Sequence, residues 1–161
     1  MIIPFDKIPK ESRVWIYQSN RKFTEKEITE ITNKLKNFLE NWTAHGSDLL
    51  CSFTIKYNRF IIIALNEKSN KATGCSIDSC VHFIQELEHQ YSIDLLDKMN
   101  VAYKQGKFIS YKSLIKKKKL VKSNSVSKNT IVFNNLVTDV LDFNTNWEIP
   151  ANKSWHSRFF L

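Results

Sequence analysis

A chain of 161 residues with 42% apolar residues and eleven Phe can bury roughly two-thirds of its unfolded surface in one core, which excludes a disordered chain. Its formal net charge of +8 is uneven: Lys98 to Thr138 holds ten Lys and no Arg, Asp or Glu, whereas the remainder carries fourteen basic and sixteen acidic side chains. The opening Met1-Ile2-Ile3-Pro4-Phe5-Asp6 lacks the basic start and long apolar run of a secretion signal, and the longest purely apolar run, Phe60 to Leu65, is far short of the ~20 residues of a membrane span, so a cytoplasmic protein without a membrane partner is expected.

In chain order, residues 12–19 are β-branched and aromatic with period two and predict a strand. Thr24 and Glu27 form a capping box, with Phe23 and Ile28 as its hydrophobic staple. Ile28, Ile31, Leu35, Phe38, Leu39 and Trp42 then share one helical face, which predicts a helix over about 25–42. Residues 49–56 alternate and 60–65 are continuously apolar; with Tyr57-Asn58-Arg59 between them they read as a hairpin. After a polar loop from Lys68 to Gly74, Ile77, Cys80, Val81, Ile84, Leu87 and Tyr91 predict a second helix from about Ser76, with Asp78 near its first turn. Residues 100–104 and 107–112 flank Gln105-Gly106 as another hairpin.

This order predicts an α+β fold, a ferredoxin-like βαββαβ antiparallel sheet with helices on one face, as a single domain over 1–161 with its core at about 12–112. Residues 113–161 form the extension. It holds a short basic helix from Ser113 to Lys122, a strand from Thr130 to Phe133, a helical turn from Thr138 to Phe143, and a tail with Trp147, Trp155, Phe159 and Phe160. So many aromatics point to a tail that packs on the domain or docks to a partner through Trp155, His156, Phe159 and Phe160.

Ser12-Arg13-Val14-Trp15-Ile16-Tyr17, Trp42-Thr43-Ala44-His45-Gly46, Gly74-Cys75-Ser76-Ile77-Asp78, Asn129 to Val137 and Ser154-Trp155-His156 together resemble a family of uncharacterised bacterial proteins of about 160 residues. Its members are often labelled "ABC transporter ATPase" automatically. A phosphate-cradling loop needs Gly-x-x-x-x-Gly-Lys-Ser/Thr, and Gly46, Gly74 and Gly106 stand nowhere near that spacing, so ATP hydrolysis by that machinery is excluded.

Three constellations carry chemistry. Cys75 beside the start of the second helix is a candidate nucleophile, with His45 as its base and Asp78 or His156 as orienter; the structural alternative is a turn, an N-cap and a helix end. His82 and His89 stand seven apart around Glu86, a spacing that suits a solvated helix face better than a metal site. With three unpaired cysteines (Cys51, Cys75 and Cys80) and no His-x-x-x-His, neither a disulfide framework, a metal nor a cofactor is expected.

The largest signal is the lysine set Lys104, Lys107, Lys112, Lys116, Lys117, Lys118, Lys119 and Lys122, interleaved with Tyr103, Phe108, Tyr111 and Phe133. It suits the phosphates of RNA or a ribonucleoprotein, or else an acidic protein partner. The lack of Arg disfavours bidentate base readout, and on a hairpin Tyr103 and some of Phe108, Ile109 and Tyr111 must face the core, which leaves few for base stacking. The leading expectation is an RNA-associated binding module, with a cysteine-dependent enzyme and an acidic-protein adaptor as alternatives.

Overall fold

Helix α1 (Glu25–Glu40) begins where the sequence predicts, at a capping box. The Thr24 hydroxyl accepts from the Glu27 N–H at 3.1 Å, and the Glu27 carboxylate accepts from the Thr24 N–H at 2.9 Å. The Arg21 guanidinium adds a fork to both Glu27 oxygens at 2.8 Å each and donates at 2.8 Å to the Tyr91 carbonyl, tying this corner to the end of the second helix. Trp42, expected on α1, falls just past its C-cap, Asn41.

The computed structural model describes residues 1–113 and 127–160. The chain divides into two compact units, Met1–Leu96 with Thr138–Leu141, and Asp97–Val137 with Asp142–Leu161. The short basic helix expected over Ser113–Lys122 lies almost wholly outside the described residues.

In the first unit, β1 (Arg13–Gln18), β4 (Leu50–Lys56) and β5 (Phe60–Asn66) form an antiparallel sheet in the order β1-β5-β4. Tyr57 and Asn58 both take positive φ, 55° and 52°, the backbone of a two-residue type I′ turn, and the Arg59 N–H closes it on the Lys56 carbonyl. Register pairs Tyr17 with Ile61, Trp15 with Ile63 and Cys51 with Leu65. That face meets Ile31, Leu35 and Leu39 of α1 and Cys80, Ile84 and Leu87 of α2 (Gly74–Tyr91) in one core, so both helices cover the same face, as expected. A small hairpin, β2 (Thr43–Ala44) and β3 (Ser47–Asp48), precedes β4; it turns on His45 and Gly46, at φ 52° and 76°.

The second unit is built on β6 (Asn100–Gln105), β7 (Phe108–Ser113), β8 (Ile131–Phe133) and β9 (Glu148–Pro150), ordered β7-β6-β8-β9 and antiparallel throughout. Helix α3 (Val140–Asn146) is longer than the turn expected there. Trp147 packs at 4.9 Å from Phe133 and 4.8 Å from Phe143, and its Nε1 donates to Asn135 at 2.9 Å.

Mixed helix and antiparallel sheet agrees with the α+β expectation, but the single ferredoxin-like sheet is corrected. Its last strand, 100–104, does not join β1; β6 has one edge on β7 and the other on β8. Residues 138–140 take the free edge of β1 instead: the Val14 N–H donates to the Thr138 carbonyl at 3.0 Å and the Val140 N–H to the Ser12 carbonyl at 2.9 Å. Each edge satisfies its backbone polar groups with a different partner.

The Arg21–Glu27 fork has a pH signature. Hydrogen bonds from Arg21 are the main cause that lowers the Glu27 carboxyl from 4.5 to about 2, with burial opposing them. A depressed carboxylate stabilises the fold above its unfolded value, and that stabilisation is lost as pH falls toward about 2. Arg21 is 40% exposed, so solvent screening reduces the effect, and Glu27→Gln is expected to cost about 1–2 kcal/mol at neutral pH. Urea unfolding across this window should show the gap between variant and parent closing below about pH 4. A gap constant with pH rules the carboxylate out as its source.

Candidate functional site

The first unit carries a polar cleft of about 550 Å³ where the end of α1, the β2–β3 hairpin and the start of α2 meet. Asn37, Phe38 and Asn41 come from α1 and its cap, Trp42 from just past that cap, Thr43 and His45 from the hairpin, and Thr73, Cys75, Ser76 and Ser79 from α2 and its cap. Trp42 positions the walls: its Nε1 donates at 2.8 Å to the Ser76 carbonyl, which also accepts from the Ser79 hydroxyl at 2.8 Å.

Cys75 and His45, expected as nucleophile and base, are both exposed and line this same cleft, and no hydrogen bond joins them. Two details of the expectation are corrected. Helix α2 starts at Gly74 under a Thr73–Ser76 capping box, so Cys75 lies inside its first turn rather than before it, and Asp78 lies beyond that turn. Asp78 opens instead onto an adjoining groove of about 470 Å³ with His82, Glu86 and the stacked rings of Phe38 and Phe83, 4.6 Å apart. His156 belongs to the second unit. Among the described residues no three His, Cys, Asp or Glu side chains gather as a metal site.

The other two cysteines differ in kind from Cys75. Burial pushes the Cys51 and Cys80 thiols up to about 11 each; Cys51 donates to the carbonyls of Met1 and Leu39 at 3.6 Å, and Cys80 lies 3.6 Å from the Tyr17 hydroxyl.

The second unit carries the charge. It holds twelve basic and three acidic residues, against twelve and thirteen in the first unit. Lys104 forms an ion pair with Glu148, which removes one of the expected phosphate ligands from the free set. Lys107 and Lys112 are exposed and make no ion pair among the described residues. Lys116, Lys117, Lys118, Lys119 and Lys122 lie outside the described residues. No family model matches the chain, and no curated protein or solved structure matches it. No helix among the described residues is long and apolar enough to cross a membrane.

Tyr103 is 1% exposed, as hairpin geometry requires, but Phe108 is 77% exposed. Of Phe108, Ile109 and Tyr111, some of which are expected to face the core, Phe108 stands outside it, at the strand end directly after the Gly106-Lys107 turn. In the tail, His156 is fully buried and its Nδ1 lies 2.7 Å from the Ser154 hydroxyl. Trp155 is half-buried, stacked 3.9 Å from the His156 ring and 4.9 Å from the Arg158 guanidinium. The side chains of Phe159 and Phe160 are outside the description.

Proposed function

We propose that this protein is a cytoplasmic binding module that engages RNA, alone or in a ribonucleoprotein, through the lysine-rich surface of its second unit. One observation carries the reading: the whole surplus of positive charge falls within one compact unit, while the other is close to neutral. A cationic surface gains affinity for a polyanion by releasing the counterions condensed on it, without reading sequence. The test is a titration of labelled generic RNA with the purified chain at several salt concentrations. Binding that weakens steeply with salt supports the reading. No binding at low salt, or tight binding indifferent to salt, sinks it. Charge reversal at Lys116 to Lys119 should weaken binding while the circular dichroism stays unchanged.

A second reading, thiol chemistry at Cys75, is favoured by the cleft that Cys75 shares with His45. Here Ellman's reagent is expected to titrate one thiol of the folded protein and all three after denaturation, because Cys51 and Cys80 are buried and Cys75 is not. If His45 serves as base, Cys75 alkylates faster than a model thiol at neutral pH, and His45→Ala slows it. A rate equal to the model thiol and unmoved by His45→Ala ends this reading.

A further inference from the structure

We infer that the exposed face of strand β7 binds single-stranded nucleic acid, with Phe108 as a stacking platform for a base and Lys107 and Lys112 as flanking phosphate ligands. The inference deepens the reading above and rests on it.

The geometry starts from the hairpin register. Gln105 faces Phe108, Tyr103 faces Ser110 and Val101 faces Lys112, so by period-two alternation Gln105, Phe108, Ser110 and Lys112 lie on one side of the sheet. On the central strand this side is closed over, with Val101 and Tyr103 buried. On β7, an edge strand, it is open: Phe108 is 77% exposed and Lys112 is exposed at the far end, about 13 Å along the strand. Gly106 takes φ 59°, which fits the Gly-first order of a type II′ turn and sets Lys107 at the tip, one residue before Phe108. Ser110 donates to the Gln105 side-chain oxygen, which places an amide and a hydroxyl on the same side of the sheet as Phe108.

Charge selects the occupant. The one lysine of this hairpin held by a carboxylate, Lys104, alternates onto the opposite side, where Glu148 meets it. Lys107 and Lys112 are left without ion pairs among the described residues. Phosphates flanking a planar base satisfy both features at once, the cations through the backbone and the ring through its π-face. A duplex keeps its bases stacked inside and offers the ring nothing, so the fitting ligand is single-stranded. An acidic protein would engage the lysines without needing an aromatic ring.

The test uses the full chain, its Phe108→Ala, Phe108→Leu and Phe108→Trp variants, and a Lys107→Gln/Lys112→Gln double variant. The probes are fluorescein-labelled oligouridylate and oligothymidylate of about 12 nucleotides, a blunt RNA duplex of equal length, and polyglutamate. Loss of one stacked base predicts that Phe108→Ala binds the single strands roughly 5- to 150-fold more weakly with an unchanged salt slope. Phe108→Leu should be weak as well, Phe108→Trp should bind at least as well as the parent with its fluorescence quenched, and the double lysine variant should have a shallower salt slope. Oligouridylate against oligothymidylate separates an RNA source from a DNA one. Equal binding by Phe108→Ala and the parent, rescue by leucine as good as by tryptophan, or a duplex bound as tightly as a single strand overturns the stacking surface while leaving the broader RNA reading standing. Failure of every nucleic-acid probe at low salt, with polyglutamate bound, overturns both.

Discussion

Between about 50 and 200 mM salt, the affinity of this chain for single-stranded RNA is expected to fall roughly 300-fold. Each phosphate neutralised on a single strand contributes about −0.7 to the slope of log affinity against log salt, and about six lysine contacts give a slope near −4. Lys107 and Lys112 supply two of these contacts, and the run from Lys116 to Lys119 supplies the other four. Lys104 is not counted, because Glu148 already neutralises it. Glu148→Gln should therefore steepen the slope by a fraction of one contact, an effect opposite in sign to any lysine removal. Fluorescence anisotropy across that salt range measures both. A slope near zero, or one insensitive to lysine removal, is incompatible with a phosphate-binding surface.

Ile63→Ala is expected to destabilise the first unit by about 2–5 kcal/mol. Ile63 is wholly buried on the central strand of its sheet, paired with Trp15 on one side and Phe53 on the other, on the face that both helices cover. Removing its outer atoms leaves a void that two strands and two helices cannot jointly collapse into, so the cost exceeds simple transfer to water. Against a typical domain stability of about 5–15 kcal/mol this is a large fraction. Leu136→Ala is the contrast: Leu136 is 67% exposed, and its removal should change stability by less than about 0.5 kcal/mol. Guanidinium unfolding of both variants decides the matter. A loss below about 1 kcal/mol for Ile63→Ala would contradict the packing described for β5.

Features whose causes lie within a few residues were legible without the fold. Thr24 and Glu27 satisfy each other's backbone N–H groups three residues apart, and Tyr57-Asn58-Arg59 separates an alternating run from a continuously apolar one, so α1 and the β4–β5 hairpin follow from local pattern. The start of α2 escaped because its capping box uses Ser76 where the familiar pattern has Glu or Gln, and Cys75 was set outside a helix that contains it. The Cys75–His45 cleft was half legible: the residue types suggested it, but only the β2–β3 hairpin brings His45 to the same cleft as Cys75.

Which strands share a sheet was decided only in three dimensions. Residues 100–105 and 13–18 are each good strands, and period two says nothing about whose backbone will meet theirs. The return of residues 138–140 along β1, and of 131–133 along β6, joins segments far apart in the chain. The same holds for charge. Composition alone established a carboxylate-free run of lysines, but sequence could not tell that Glu148 would reach Lys104 while Lys107 and Lys112 make no ion pair among the described residues, nor that Phe108 would stand in water. A strand's alternation assigns side chains to two faces; the partners that cover one face and leave the other open come from tertiary contacts.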